Sequence, residues 1–110
     1  VISYEIVRLM KEGLSPQKAC EKAVSDLAER LKRTRGEAGD ISVVAMNAKG
    51  DFGAASNIEN FSFVVATSTL APTVFRVHPQ SDGTMRHELA TKEWLEAYLE
   101  ERMKPLEVKE

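Results

Sequence analysis

The sequence predicts an α+β domain: two helices, then an antiparallel meander of three to four strands, then a closing helix. Three observations lead there. Residues 2–35 carry apolar side chains at helical spacing, interrupted at Gly13-Leu14-Ser15-Pro16. Residues 41–68 hold three short apolar runs separated by turn residues, "NAKGD" and "NIEN". Residues 91–103, "TKEWLEAYLEERM", return to helical spacing. The 110 residues suit one domain. Hydrophobic content of 43% and charged content of 29% are ordinary for a globular chain.

The first helix opens at Val1, with Ile2, Ile6 and Leu9 on one stripe and Val7 and Met10 beside it. No capping residue precedes it, so the reading expects polypeptide upstream of Val1. Gly13 should end the helix in a left-handed conformation. Ser15 then caps a second helix, with Pro16 at its first position, where a missing N–H costs nothing. Ala19, Ala23, Leu27 and Leu31 share its inner face, widened by Cys20, Val24 and Ala28. Lys32, Arg33 and Arg35 crowd its last turn, where cations suit the helix dipole better than they suggest a phosphate site.

"GEAGD" (36–40) leads into the strands. "ISVVAMN" (41–47) is almost wholly apolar and predicts a strand covered on both faces. "NAKGD" (47–51) fits a tight hairpin with Gly50 at positive φ. In "DFGAAS" (51–56) the small Gly53, Ala54 and Ala55 allow another layer to approach closely. "FSFVVATS" (61–68) makes a third strand. "TVFRVHP" (73–79) reads as an added edge strand stopped by Pro79, and "QSDGTMRHE" (80–88) as a loop. On the last helix Trp94, Leu95, Tyr98, Leu99 and Met103 form a stripe suited to core packing or a subunit contact, and Pro105 should stop it.

Chemistry is hard to find. Net charge is −2 with Lys and Arg scattered, which argues against nucleic-acid or membrane-surface partners. No run approaches the ~18 apolar residues of a membrane span, and no signal peptide is read. Cys20, the single cysteine, sits in a helix and reads as an inert buried thiol. His78 and His87 lack metal-ligand spacing and read as surface residues. Thr67-Ser68-Thr69 reads as a strand terminus, and "NFS" (60–62) as an unused glycosylation acceptor at a strand entry.

Three phrases nonetheless form a pattern. "LMKEGLSPQKACEKAV", "DISVVAMNAKGDFGAASN" and "FSFVV", with the frames MxxGxxPxxAC and NxxGxxGAA, resemble the C-terminal part of glycosylasparaginases, within the asparaginase-like N-terminal nucleophile hydrolases. The likeness runs from residue 1 to about 68. It implies an αββα four-layer sandwich and places residues 1–78 in the C-terminal part of a β subunit, with 79–110 as an extension carrying helix 91–103. In that family the precursor cuts itself, and the new N-terminal threonine is both nucleophile and base. The resemblance implies hydrolysis of an asparagine side-chain amide, releasing aspartate and an amine, without a metal or cofactor. It implies an α subunit and the upstream part of the β subunit as partners, in a dimer of αβ units acting on a small amide. No position of this chain matches the family's functional residues, so none is carried over as catalytic, metal-binding or cofactor-binding. An isoaspartyl peptidase/L-asparaginase and a non-catalytic α+β interaction domain are the alternatives.

Overall fold

The computed structural model describes residues 2–103 and has an α+β fold. Its elements are α1 (Ile2–Lys11), α2 (Pro16–Arg35), β1 (Ser42–Met46), β2 (Phe52–Ser56), β3 (Phe61–Val65), β4 (Thr73–Pro79), β5 (Met85–Leu89) and α3 (Lys92–Arg102). Val1 and Pro105, which carried expectations about the two ends, lie outside the described residues.

The helix boundaries follow from local chemistry. At the end of α1 the Leu14 N–H donates to the Leu9 carbonyl (3.2 Å) and the Gly13 N–H to that of Met10 (3.1 Å). Gly13, at φ +106°, is the left-handed residue this closure needs. Leu14 then packs back onto the cluster that holds Leu9. Ser15 caps α2, its Oγ accepting from the Lys18 N–H at 3.1 Å. Gly36 closes α2 with its N–H on the Lys32 carbonyl.

The strands form two antiparallel sheets, β1-β2 and β3-β4-β5. This departs from a single meander in two ways. β4 lies at the centre of its sheet, not at an edge, and residues 85–89, expected to be loop, are its outer partner β5. The two hairpins have the same closure. In the first, Gly50 N–H reaches the Asn47 carbonyl and Asn47 N–H that of Asp51; in the second, Gly83 reaches Gln80 and Gln80 reaches Thr84. Pro79 ends β4 without harm because it is the strand's last residue.

β2 is the strand between layers. Ala55 belongs to a cluster with Ile6, Leu9, Ala19, Cys20, Ala23 and Val24, against which Val43 and Ala45 of β1 also pack. Ala54, one residue earlier and on the opposite face, joins Phe63, Val65 and Val77 of the second sheet, with Phe52, Phe61 and Phe75 around them. Helices α1 and α2 therefore cover one face of the β1-β2 hairpin, and the second sheet covers β2 from the other side.

A close approach locks this arrangement. A Cβ on Gly53 would stand 2.3 Å from the Gln17 nitrogen and 2.6 Å from the Pro16 carbonyl carbon, both backbone. The gap is sealed by Gln17, whose Oε1 accepts from the Ala54 N–H (2.8 Å) and whose Nε2 donates to the Ala54 carbonyl (2.9 Å). The nearly buried Glu21 carboxylate, one helical turn on, accepts from Gln17 Nε2 and from the Met85 N–H of β5 (2.8 Å).

The expectation that β1 is covered on both faces is not met. Val44 and Met46 are 57% and 47% exposed, because the second sheet stacks on β2 and leaves the outer face of β1 open. Nor does the stripe on α3 pack into a core: α3 has no buried residue, and Leu99 and Met103 are well exposed.

Two outcomes follow for chemical denaturation. Gly53→Val pushes backbone from backbone and should cost about 1–3 kcal/mol. Gln17→Met keeps the volume but strands the Ala54 N–H, and should cost about 1–3 kcal/mol. A Gly53→Val protein as stable as the parent would show that α2 can retreat freely.

Candidate functional site

Alternation along β4 and β5 builds a polar surface on the outer side of the second sheet. Val77 points into the core, so Arg76 and His78 point away from it. Arg76 stands opposite Glu88 and His78 opposite Arg86 in the ladder. The four side chains join. Arg76 Nη2 donates to Glu88 Oε1 at 2.6 Å, and Arg86 Nη1 to Glu88 Oε2 at 3.3 Å. The ring of His78 lies between two carboxylates, with Nε2 3.0 Å from Glu88 Oε2 and Nδ1 against Glu59 Oε1 from the 57–60 connection.

Burial works to raise the Glu88 carboxyl, but the Arg76 charge and the hydrogen bonds from Arg86, His78 and Arg76 hold it below the usual carboxylate range. Arg76 also places its guanidinium carbon 5.1 Å from the centre of the Trp94 ring, which stacks on Tyr98 with Arg102 over the far side. Cation–π and stacking contacts thus attach α3 to the sheet.

This cluster does not have the form of a catalytic dyad. Both ring nitrogens of His78 are occupied by carboxylates, so neither is open to a substrate proton. Among the described residues no group of three or more His, Cys, Asp or Glu side chains is placed to hold a metal ion.

The other residues singled out in the sequence lie apart. His78 and His87 are not surface residues as expected. His78 is 9% exposed. His87 turns inward on β5, with Nε2 3.2 Å from the Ala54 carbonyl and its ring edge-on to Phe63. Cys20 is fully buried in the helical cluster, and burial, with the nearby Glu21 charge, pushes its thiol up to about 11. Arg33 lines a cleft of about 570 Å³ between α1 and α2 together with Arg30, Glu5 and Asp26, so its charges are mixed. Thr67 turns its hydroxyl onto the Thr69 and Leu70 N–H groups, a local turn rather than a nucleophile. Asn60 sits at φ +64° with Oδ1 accepting from Arg76. The polar cluster is hidden in the sequence because residues 80–88 read as loop, without a strand to pair Arg86 and Glu88 with β4. The signal available was the pair Arg-x-His and Arg-x-Glu on either side of an Asp-Gly turn.

A separate groove of about 200 Å³ runs between β1 and β3, lined by Val44, Met46, Phe52, Phe63, Val64 and Val65. β1 and β3 are edge strands of their sheets, and no described strand pairs with their outer sides. With Val44, Met46 and Val64 exposed, this is an open apolar surface. No helix among the described residues is long and apolar enough to cross a membrane.

Comparison with known proteins gives one curated relative. Over 65 residues the chain is 37% identical to the N(4)-(Beta-N-acetylglucosaminyl)-L-asparaginase of Elizabethkingia miricola. The aligned stretch is 57% of this chain and 19% of that protein, so the chain spans about a fifth of the relative it matches. No family model matches the sequence. No solved structure matches it.

Cys20 should be inert to thiol reagents at neutral pH in the folded chain and react fully in denaturant. Its thiol is raised on folding from 9.0 to about 11. The stability tied to the neutral thiol is therefore complete below 9.0 and is lost as pH rises toward about 11, which urea titrations across that window should register.

Proposed function

We propose that this chain is a structural part of an asparagine-amide hydrolase of the glycosylasparaginase kind, whose nucleophilic threonine comes from polypeptide outside residues 1–110. The observation that carries this reading is the 37% identity over 65 residues with the Elizabethkingia miricola asparaginase. The frame MxxGxxPxxAC and the hairpin NxxGxxGAA, on which the resemblance rests, are the pieces that lock α2 onto β2.

In the proposed reaction the threonine hydroxyl attacks the side-chain amide carbon of a glycosylated asparagine. The threonine's own amino group takes the hydroxyl proton and passes it to the amide nitrogen, the C–N bond breaks, and the amine leaves with that proton. Water then releases aspartate from the acyl-threonine. The residues of this chain take no part in bond making. Their role is rigidity, since a nucleophile and its oxyanion donors must be held within fractions of an ångström. The Gly53–Gln17 contact and the Glu21–Met85 bond supply such stiffness between helix and sheet. The open apolar groove between β1 and β3 supports the presence of a further layer, namely the α subunit and the rest of the β subunit. An isoaspartyl peptidase/L-asparaginase is the alternative within the same group; the form GAA…FSF at residues 53–63 favours the glycosylasparaginase branch.

A second reading, a non-catalytic interaction domain, is favoured by a different observation. The described residues build two apolar clusters of their own, joined across β2.

A chimera separates the two. The aligned 65-residue stretch of the Elizabethkingia miricola protein is replaced by that of this chain. The hydrolase reading expects the chimera to cleave N4-(β-N-acetylglucosaminyl)-L-asparagine, and this chain alone to cleave nothing. A folded chimera without activity would overturn it. Turnover by the isolated chain would reveal a nucleophile among its own residues.

A further inference from the structure

The geometry around His78 points to a function that amide hydrolysis does not use. Glu59 belongs to residues 57–60, the connection by which the chain leaves the β1-β2 hairpin and enters the second sheet. Its first half is bonded to the chain before it, Asn57 to Ile41 and Gly39 and the Ile58 N–H to Ser56 Oγ, and its second half is tied to the second sheet at three points. The Asn60 N–H donates to the Val77 carbonyl at 3.0 Å, Arg76 Nη1 donates to Asn60 Oδ1 at 3.3 Å, and Glu59 meets His78 Nδ1. Only the last of these depends on a ring that can gain or lose a proton.

The charged groups in contact with the ring come from three places. Glu59 approaches from the connection, Glu88 from β5 with Arg86 behind it, and Arg76 lies two residues back on β4, bound to the same Glu88. An ionised carboxylate only accepts hydrogen bonds. With a carboxylate at each nitrogen, both contacts are hydrogen bonds only when the ring carries both protons. When one proton leaves, one nitrogen must face a carboxylate with a lone pair.

The two carboxylates are not equivalent. Glu88 is fixed by Arg76 at 2.6 Å and by Arg86 at 3.3 Å. The side chain of Glu59 is 59% exposed, and among the described residues it is held by His78 alone. The neutral ring therefore keeps its N–H on Nε2, toward the held Glu88, and Glu59 swings into water.

We propose that His78 is a proton-operated latch: the doubly protonated ring ties the 57–60 connection to the second sheet, and loss of the Nδ1 proton releases it. The released state keeps Asn60–Val77 and Arg76–Asn60, so the sheets stay stacked while the connection loosens. The direction follows from the donor count. Lower pH fastens the connection, and higher pH frees it, until acid protonates Glu59 itself. The inference does not rest on the hydrolase reading.

The test uses the folded full chain and two readouts across about pH 5 to about pH 9. Nitrogen NMR of the imidazole should show both nitrogens protonated at the acid end and the Nε2–H tautomer at the alkaline end. Amide hydrogen exchange at 57–60, corrected for intrinsic chemistry, should become severalfold faster through the same midpoint, with exchange in β4 unchanged. Glu59→Gln should remove the step, since an amide can accept from Nδ1–H or donate to bare Nδ1. Glu59→Ala should exchange at the fast rate at every pH. A ring that does not change protonation in this range overturns the proposal. So does exchange at 57–60 that ignores the ring's titration, or a Glu59→Gln protein that keeps the step.

Discussion

Everything in this fold depends on how closely the first turn of α2 can approach β2. A helix and a strand usually meet through side chains on both. Here the strand offers none at residue 53, and the helix backbone comes within bonding range of where a Cβ would be. The approach brings Gln17 level with the N–H and C=O of Ala54, which is fully buried. One side chain therefore does for that edge what a further strand would do. The same helix then reaches past β2 to the second sheet through Glu21. Remove the closeness and the amide no longer spans to Ala54, the carboxylate no longer meets Met85, and the two apolar clusters lose their common wall.

That dependence explains which parts of the fold were legible in the sequence. The helix ends were, because Gly13, Ser15-Pro16 and the Gly50 turn act within five residues of themselves, and short-range chemistry survives in any tertiary setting. The run Gly53-Ala54-Ala55 correctly signalled a close neighbour, although not which one. The second sheet was half hidden. Its hairpin at 80–84 has glycine in the same place as the first, at φ +87° against +89°. But the strand after it alternates arginine and glutamate with histidine, and such a run looks like loop until a partner strand gives it a polar outer face. For the same reason β4 passed for an edge: its centrality depends wholly on β5.

The candidate site was less legible than the fold, because it is assembled across distance. Glu59 and Glu88 lie nineteen and ten residues from His78 and meet it only through the β3-β4-β5 register and the connection that feeds it. No local spacing announces a histidine held by two carboxylates. The resemblance to glycosylasparaginases was legible for the opposite reason: its frames are the capping and close-approach residues themselves, which serve structure and so recur with it.

The two outer faces of the molecule are left in different states, and the difference is physical. On the β1 side, valine and methionine stand in water with no described partner, a surface whose burial would be favourable at about 25 cal/mol per Å². On the β4-β5 side Leu89, at the end of β5, is the one large apolar side chain of the two strands that stands well exposed. The charges of that face are paired among themselves, and α3 rests on them through Arg76 and Trp94 without burying a residue. Such a helix is held by contacts worth about 0.5–1 kcal/mol each at exposed sites, so it belongs to the weakly held end of the fold. The hydrophobic effect therefore directs any further layer to the groove between β1 and β3. The polar face, with its carboxylates paired to Arg76, Arg86 and His78, is free to respond to protons instead of partners.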